Sequence, residues 1–248
     1  MTDFDSAAPL EWLPASTPLL LDDHEVHLWR ANLDATTDYL KLAQTLSDDE
    51  QRRAERFRFE HLQRHFVVGR GGLRSLLGAY LNLPPETLEF CYGTHGKPAL
   101  TPACNPINLQ FNVSHSQGLA LYAVTRDRPV GVDLEYIRAI DHLDQLTQRF
   151  FSAQEHASIG TLPPDQQQTA FFRHWVCKEA YLKATGTGLG QLSHIEISFA
   201  SGKAVLRDET MPRTASRWSI LEFMLTDEYT AALAVNGTHW RLRCWQFS

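Results

Sequence analysis

The segment Val130-Gly131-Val132-Asp133-Leu134-Glu135 sets two carboxylates two residues apart. Side chains alternate along a strand, so Asp133 and Glu135 share one face while Val132 and Leu134 share the other. Two like charges side by side repel unless a cation or a proton lies between them. Hard oxygen ligands in small number suit Mg²⁺, which keeps several waters and bridges to substrate phosphates. The plain alternative for an isolated D-x-E is a solvated face on an edge strand. Farther along, Glu179 and Lys183 stand four apart in Trp175-Val176-Cys177-Lys178-Glu179-Ala180-Tyr181-Leu182-Lys183, on one face of a predicted helix. Alone they read as a modest surface ion pair. Beside a metal-bound pyrophosphate they would supply a third carboxylate and an ammonium that stabilises charge during phosphoryl transfer.

Phe111-Asn112-Val113-Ser114-His115-Ser116 adds a hydroxyl and an imidazole. These suit phosphate oxygens, or a nucleophile and its base. The second pairing is poor geometry, because adjacent side chains in an extended stretch point apart. A polar turn is the plain alternative. Residues 51–74 hold Arg52, Arg53, Arg56, Arg58, Arg64, Arg70 and Arg74 against Glu55 and Glu60 only. Guanidinium forks bind phosphate well, although most of these read as a solvated helix face. Lys97, in Gly93-Thr94-His95-Gly96-Lys97-Pro98, adds a charge on a braced turn.

The elements that must position these groups follow from local signals. His24 to Trp29 alternates as a strand does. Ser47-Asp48-Asp49-Glu50 is a capping box that predicts a helix to about Phe59, then a second through Phe66, Leu73, Leu77 and Tyr80, stopped at Pro84-Pro85. Strands are expected at 107–113, 119–124 and 130–135. Ser152-Ala153-Gln154-Glu155 repeats the capping box, with a helix ending near Gly160, and a longer one follows from about Asp165 to Ala184, ended by Gly186. Strands at 194–199, 218–225, 231–235 and 241–245 complete the chain. Residues 1 to about 23 read as an irregular lead-in. The two halves share an order of strand, capping box, short helix, long helix and strands, which suggests internal duplication, although capping boxes are common.

Composition bounds the remaining classes. The 248 residues are 43% hydrophobic and 21% charged, with a formal charge of −6, which excludes a disordered chain. The acidic balance argues against non-specific nucleic-acid binding, which rests on phosphate neutralisation. The apolar run Leu19 to Leu21 is too short for a signal segment or membrane span, so a cytoplasmic protein is expected. Cys91, Cys104, Cys177 and Cys244 are scattered and read as reduced thiols.

The 111–116, 130–135 and 175–183 segments resemble the signature motifs of the 4'-phosphopantetheinyl transferases, in the long, monomeric type that activates surfactin synthetase and related assembly lines. Gly96-Lys97-Pro98 resembles a further motif, and the similarity spans roughly residues 45 to 200. The resemblance implies an α+β fold of two similar subdomains, each a small, mostly antiparallel sheet on a long helix, with the active site at their junction. The division is expected at residues 1–115 and 116–248. It implies transfer of the phosphopantetheine arm from coenzyme A to a serine of an acyl or peptidyl carrier protein, releasing 3',5'-ADP. Asp133, Glu135 and Glu179 take the family's metal positions for Mg²⁺. Glu179 is also a candidate base, and Lys183 would meet the phosphates. Asp133, Ser114, His115 and Lys97 would contact coenzyme A, with His115 at the 3'-phosphate; Arg53 and Arg64 are the N-terminal candidates. Two other readings compete: a non-catalytic carrier or coenzyme A binding protein, and a Mg²⁺-dependent coenzyme A pyrophosphohydrolase.

Overall fold

The computed structural model describes residues 10–15, 19–34 and 38–247. After a short strand β1 (Trp12–Pro14), the first half runs β2 (Glu25–Asn32), α1 (Tyr39–Gln44), α2 (Asp48–Glu55), α3 (Glu60–Leu81), a hairpin of β3 (Phe90–Tyr92) and β4 (Pro98–Leu100), then β5 (Leu109–Ser116) and β6 (Leu119–Arg126). The second half runs β7 (Val130–Tyr136), α4 (Leu143–Phe150), α5 (Ala153–Gly160), α6 (Pro164–Thr185), a hairpin of β8 (Ile195–Ala200) and β9 (Lys203–Asp208), the one-turn α7 (Pro212–Ala215), then β10 (Trp218–Thr226) and β11 (Tyr229–Asn236). The antiparallel order β2-β6-β5 is repeated as β7-β11-β10. The expected duplication is therefore present as a repeated topology.

The last strand, β12 (Arg241–Phe247), leaves the second half and lies parallel to β2, with β1 parallel on its far side. The dividing line expected at 115/116 falls inside β5. Because β6 pairs with both β5 and β2, the first half extends through β6 and also takes in β12. Sequence patterning missed this because it reads local order and not strand partners. It also missed α1, α4, β3, β4 and β9, which are short, and it read the Trp12–Pro14 strand as irregular.

The two sheets pack face to face, with α3 and α6 on their outer sides. Trp29, Tyr122 and Phe111 turn toward Val68, Leu73 and Leu77 of α3. Their alternates Leu28, Leu121 and Ala123 turn toward Val132, Leu134 and Leu233 of the second sheet. Strands covered on both faces read as continuous apolar runs, as Leu119–Val124 does. On its other face, the second sheet packs Ala232 and Ala234 against Val176, Cys177 and Ala180 of α6.

Both capping boxes form, and each glutamate also anchors its half. Glu50 accepts the Ser47 amide at 3.0 Å and an ion pair from Arg74 at 2.6 Å. Glu155 accepts the Ser152 amide at 2.7 Å and pairs with Lys178 at 2.6 Å. Both long helices end in a left-handed residue, Asn82 and Gly186. Among the described residues no helix is long and apolar enough to cross a membrane.

Candidate active site

The carboxylate face of β7 lies under α6, and Gly131 makes that approach possible. A Cβ at Gly131 would fall 2.0 Å from the Ala180 carbonyl oxygen and 2.5 Å from the Ala184 nitrogen. Only a residue without a side chain lets the helix settle here. Asp133 and Glu135, two and four residues on, therefore meet Glu179 and Lys183 of α6. The solvated edge-strand alternative is excluded, since Asp133 is only 2% exposed.

Lys183 is the centre of the cluster. Its ammonium lies 2.5 Å from Asp133 Oδ1 and 3.8 Å from Glu179 Oε2, and donates to Ser114 Oγ at 3.0 Å. Burial alone would push this lysine down, but the Asp133 and Glu179 charges outweigh it and hold it above the ordinary value. Glu179 is pushed up to about 7, by burial first and then by the Asp133 charge. Glu135 is raised for the same two reasons in the same order. The trio does not form a ready-made cage: among the described residues no group of three His, Cys, Asp or Glu side chains is disposed to hold an ion. The lysine instead occupies one oxygen of Asp133, and the other, Oδ2, is buried without a hydrogen-bond partner.

The two halves are joined across this cluster by side chains. β7 pairs with β11 on one edge only, and its Val132, Leu134 and Tyr136 amides point the other way. Three alternate residues of β5 accept them: Asn112 Oδ1 at 2.8 Å, Ser114 Oγ at 3.2 Å and Ser116 Oγ at 3.0 Å. Without these oxygens a buried strand edge would be left unpaired. Ser114 also donates to Asp133 Oδ1 at 2.9 Å, and Ser116 donates to Glu135 Oε2 at 3.3 Å. Ser114, expected at coenzyme A, is thus buried and committed to the joint between the sheets. Sequence reasoning missed the roles of Asn112 and Ser116, although the matched alternation N-x-S-x-S and V-x-L-x-Y was there to be read.

His115 points the opposite way from Ser114 and is exposed, within electrostatic reach of Lys183 and His65. Lys97 stands beside the end of α6. Its ammonium donates to the Val130 and Ala184 carbonyls at 3.1 and 3.0 Å, so it clasps the end of α6. Burial pushes it down to about 8. Beside it His95 lies 2.9 Å from the Gly186 carbonyl through Nδ1. Arg53 stacks over Phe66, while Arg64 donates to the Asp34 carbonyl and lies over Tyr39, which are contacts within the first half.

Two family models and several curated proteins match this chain. Residues 129–234 match the family model of the 4'-phosphopantetheinyl transferase superfamily, and residues 29–126 match that of the 4'-phosphopantetheinyl transferase N-terminal region. These two boundaries follow the strand pairing, meeting between β6 and β7. The chain is 45% identical to the 4'-phosphopantetheinyl transferase HetI of Nostoc sp. (strain PCC 7120), over 95% of this chain and 98% of that one. It is 34% identical to the 4'-phosphopantetheinyl transferase psf-1 of Bacillus pumilus, over 71% of this chain and 74% of that one. A solved holo-(acyl-carrier-protein) synthase of Bacillus anthracis, in complex with CoA (3',5'-ADP), aligns with a TM-score of 0.38 at 23% identity, covering 44% of this chain and 96% of that one. On the extent of the match to HetI and on both family models, the chain belongs to the 4'-phosphopantetheinyl transferase superfamily.

Proposed function

We propose that the protein transfers the 4'-phosphopantetheine arm of coenzyme A to a serine hydroxyl of an acyl or peptidyl carrier protein, releasing 3',5'-ADP. The observation that carries this reading is the state of Asp133, buried at the junction with one oxygen on Lys183 and the other orphaned. A buried acceptor without a partner is costly, so Oδ2 is suited to a ligand that arrives with the substrate. Mg²⁺ fits the donors present, since it takes one or two carboxylates plus substrate phosphates and needs no complete protein cage. Asp133, Glu135 and Glu179 would hold it. Bound there, the ion would neutralise charge that builds on the departing 3',5'-ADP.

The chain's own residues do the rest in this reading. Lys183 binds the pyrophosphate oxygens and exchanges its hold on Asp133 for them. Glu179 takes the serine proton as the serine oxygen bonds to phosphorus and the phosphorus–oxygen bond to 3',5'-ADP breaks. No residue of this chain becomes a covalent intermediate, because the nucleophile comes from the carrier. His115, at the rim, meets the 3'-phosphate, with Arg53 and Arg64 as further contacts to coenzyme A. Both sides of the cleft come from one chain, which supports action as a monomer, and a cytoplasmic location suits the substrates.

The test is to incubate the protein with Mg²⁺, coenzyme A and a panel of apo-carriers and weigh each carrier. A phosphopantetheine mass gain that depends on Mg²⁺ is expected. No gain on any carrier would leave a binding protein, and 3',5'-ADP released without a carrier would identify a hydrolase.

A further inference from the structure

Two buried polar atoms without a hydrogen-bond partner among the described residues lie on one face of the second sheet: Asp133 Oδ2 and Thr230 Oγ1. Thr230 is 0% exposed. The register between β7 and β11 sets it opposite Glu135, as Ala232 is opposite Asp133. Directly opposed residues share a face, with Cβ atoms about 4.5–5.5 Å apart. This is the face on which Gly131 lies beneath α6, so Thr230 belongs to the wall of the cleft formed by Asp133, Glu135 and Glu179.

The residue type is the anomaly. Its successors on this face of β11, Ala232 and Ala234, are apolar and pack on α6. Valine has the shape of threonine and would fill the place without an orphaned hydroxyl, which is costly when buried unpartnered. Meanwhile the contacts to Glu135, from Ser116 at 3.3 Å and Arg138 at 3.6 Å, both fall on Oε2. A donor on the β11 side would complement them on Oε1.

We propose that Thr230 is a positioning residue for Glu135: when the cleft takes up Mg²⁺ and coenzyme A, its hydroxyl donates to the Glu135 carboxylate and fixes the direction of that ligand. This rests on the reading of the cleft given above. Outer partners of metal-binding carboxylates typically change metal affinity by about 10- to 100-fold when removed.

The test compares wild type, Thr230→Val and Thr230→Ser by thermal unfolding without ligand and by calorimetric titration of coenzyme A with Mg²⁺. Thr230→Val is expected to unfold no lower than wild type without ligand, because it removes an orphaned polar group. Its Mg²⁺-dependent affinity for coenzyme A should fall about 10-fold, and Thr230→Ser should restore most of it. Equal affinities in wild type and Thr230→Val overturn the inference, as does a Thr230→Ser variant as weak as Thr230→Val, which would mean packing and not the hydroxyl. A wild type that shows no Mg²⁺-dependent binding of coenzyme A would instead overturn the reading of the cleft itself.

Discussion

Lys178 and Glu155 form a fully buried ion pair at 2.6 Å, one residue along α6 from Glu179. Neighbouring residues on a helix diverge by about 100°, so the Lys-Glu of this motif serves two ends. Glu179 turns to the cleft, and Lys178 turns away to hold α5 and the Leu192 carbonyl at 3.0 Å. Arg74 repeats the arrangement in the first half, pairing with Glu50 and donating to the Pro85 and Leu88 carbonyls at 2.9 and 3.0 Å. The duplication thus extends from topology to the ion pair that fixes each long helix.

Removing one partner of such a pair strands a buried charge, at a cost of about 3–5 kcal/mol. Lys178→Met should lower stability by about that amount in urea unfolding. Adding Glu155→Gln should return a large part of it. A single variant as stable as wild type would show that the pair does not anchor the helix.

Asp133→Asn keeps the shape of the side chain and its place beneath α6 but removes the charge held by Lys183. Carrier modification should fall by at least about 100-fold, the scale of a lost preorganised electrostatic contact. The folded state should persist, as checked by denaturant midpoint. Wild-type turnover in a folded variant would count against the whole cleft.

Lys97→Met removes the clasp on the Val130 and Ala184 carbonyls without touching the carboxylates. Two carbonyls near the end of α6 lose their donor, at about 1–3 kcal/mol. The turn carrying Lys183 should loosen, seen as faster amide exchange over 182–186. Were Lys97 instead a direct coenzyme A contact only, exchange in that turn would be unchanged and the KM for coenzyme A alone would rise.

His174 is buried between Phe151 and Phe199, and burial, more than any neighbouring charge, pushes its imidazole below the usual 6.5. The unfolded chain therefore binds more protons at this site, and stability is lost as pH falls through about 6.5. His174→Phe should flatten the decline in unfolding free energy between pH 6.5 and 5. An unaltered slope would assign the acid sensitivity to other groups, such as buried His27.

Elements whose causes are local are legible in the sequence. Capping boxes at Ser47 and Ser152, the left-handed end at Gly186, the stop before Pro84 and the alternation that puts Asp133 and Glu135 on one face are settled within a few residues. The sequence also carried the motifs that identify the family. What each polar group touches depends on the packing of distant segments. In sequence Ser114 and Lys97 offer only a hydroxyl and an ammonium that suit phosphate; in the fold β7 leaves amides unpaired beside Ser114, and α6 leaves carbonyls beside Lys97. Likewise β12 joined the first sheet, where β2 offered an open edge. Each of these outcomes depends on a partner distant in the chain. Short-range hydrogen-bond geometry is written in neighbouring residues, whereas the satisfaction of a buried polar group depends on whichever segments the packed core brings beside it.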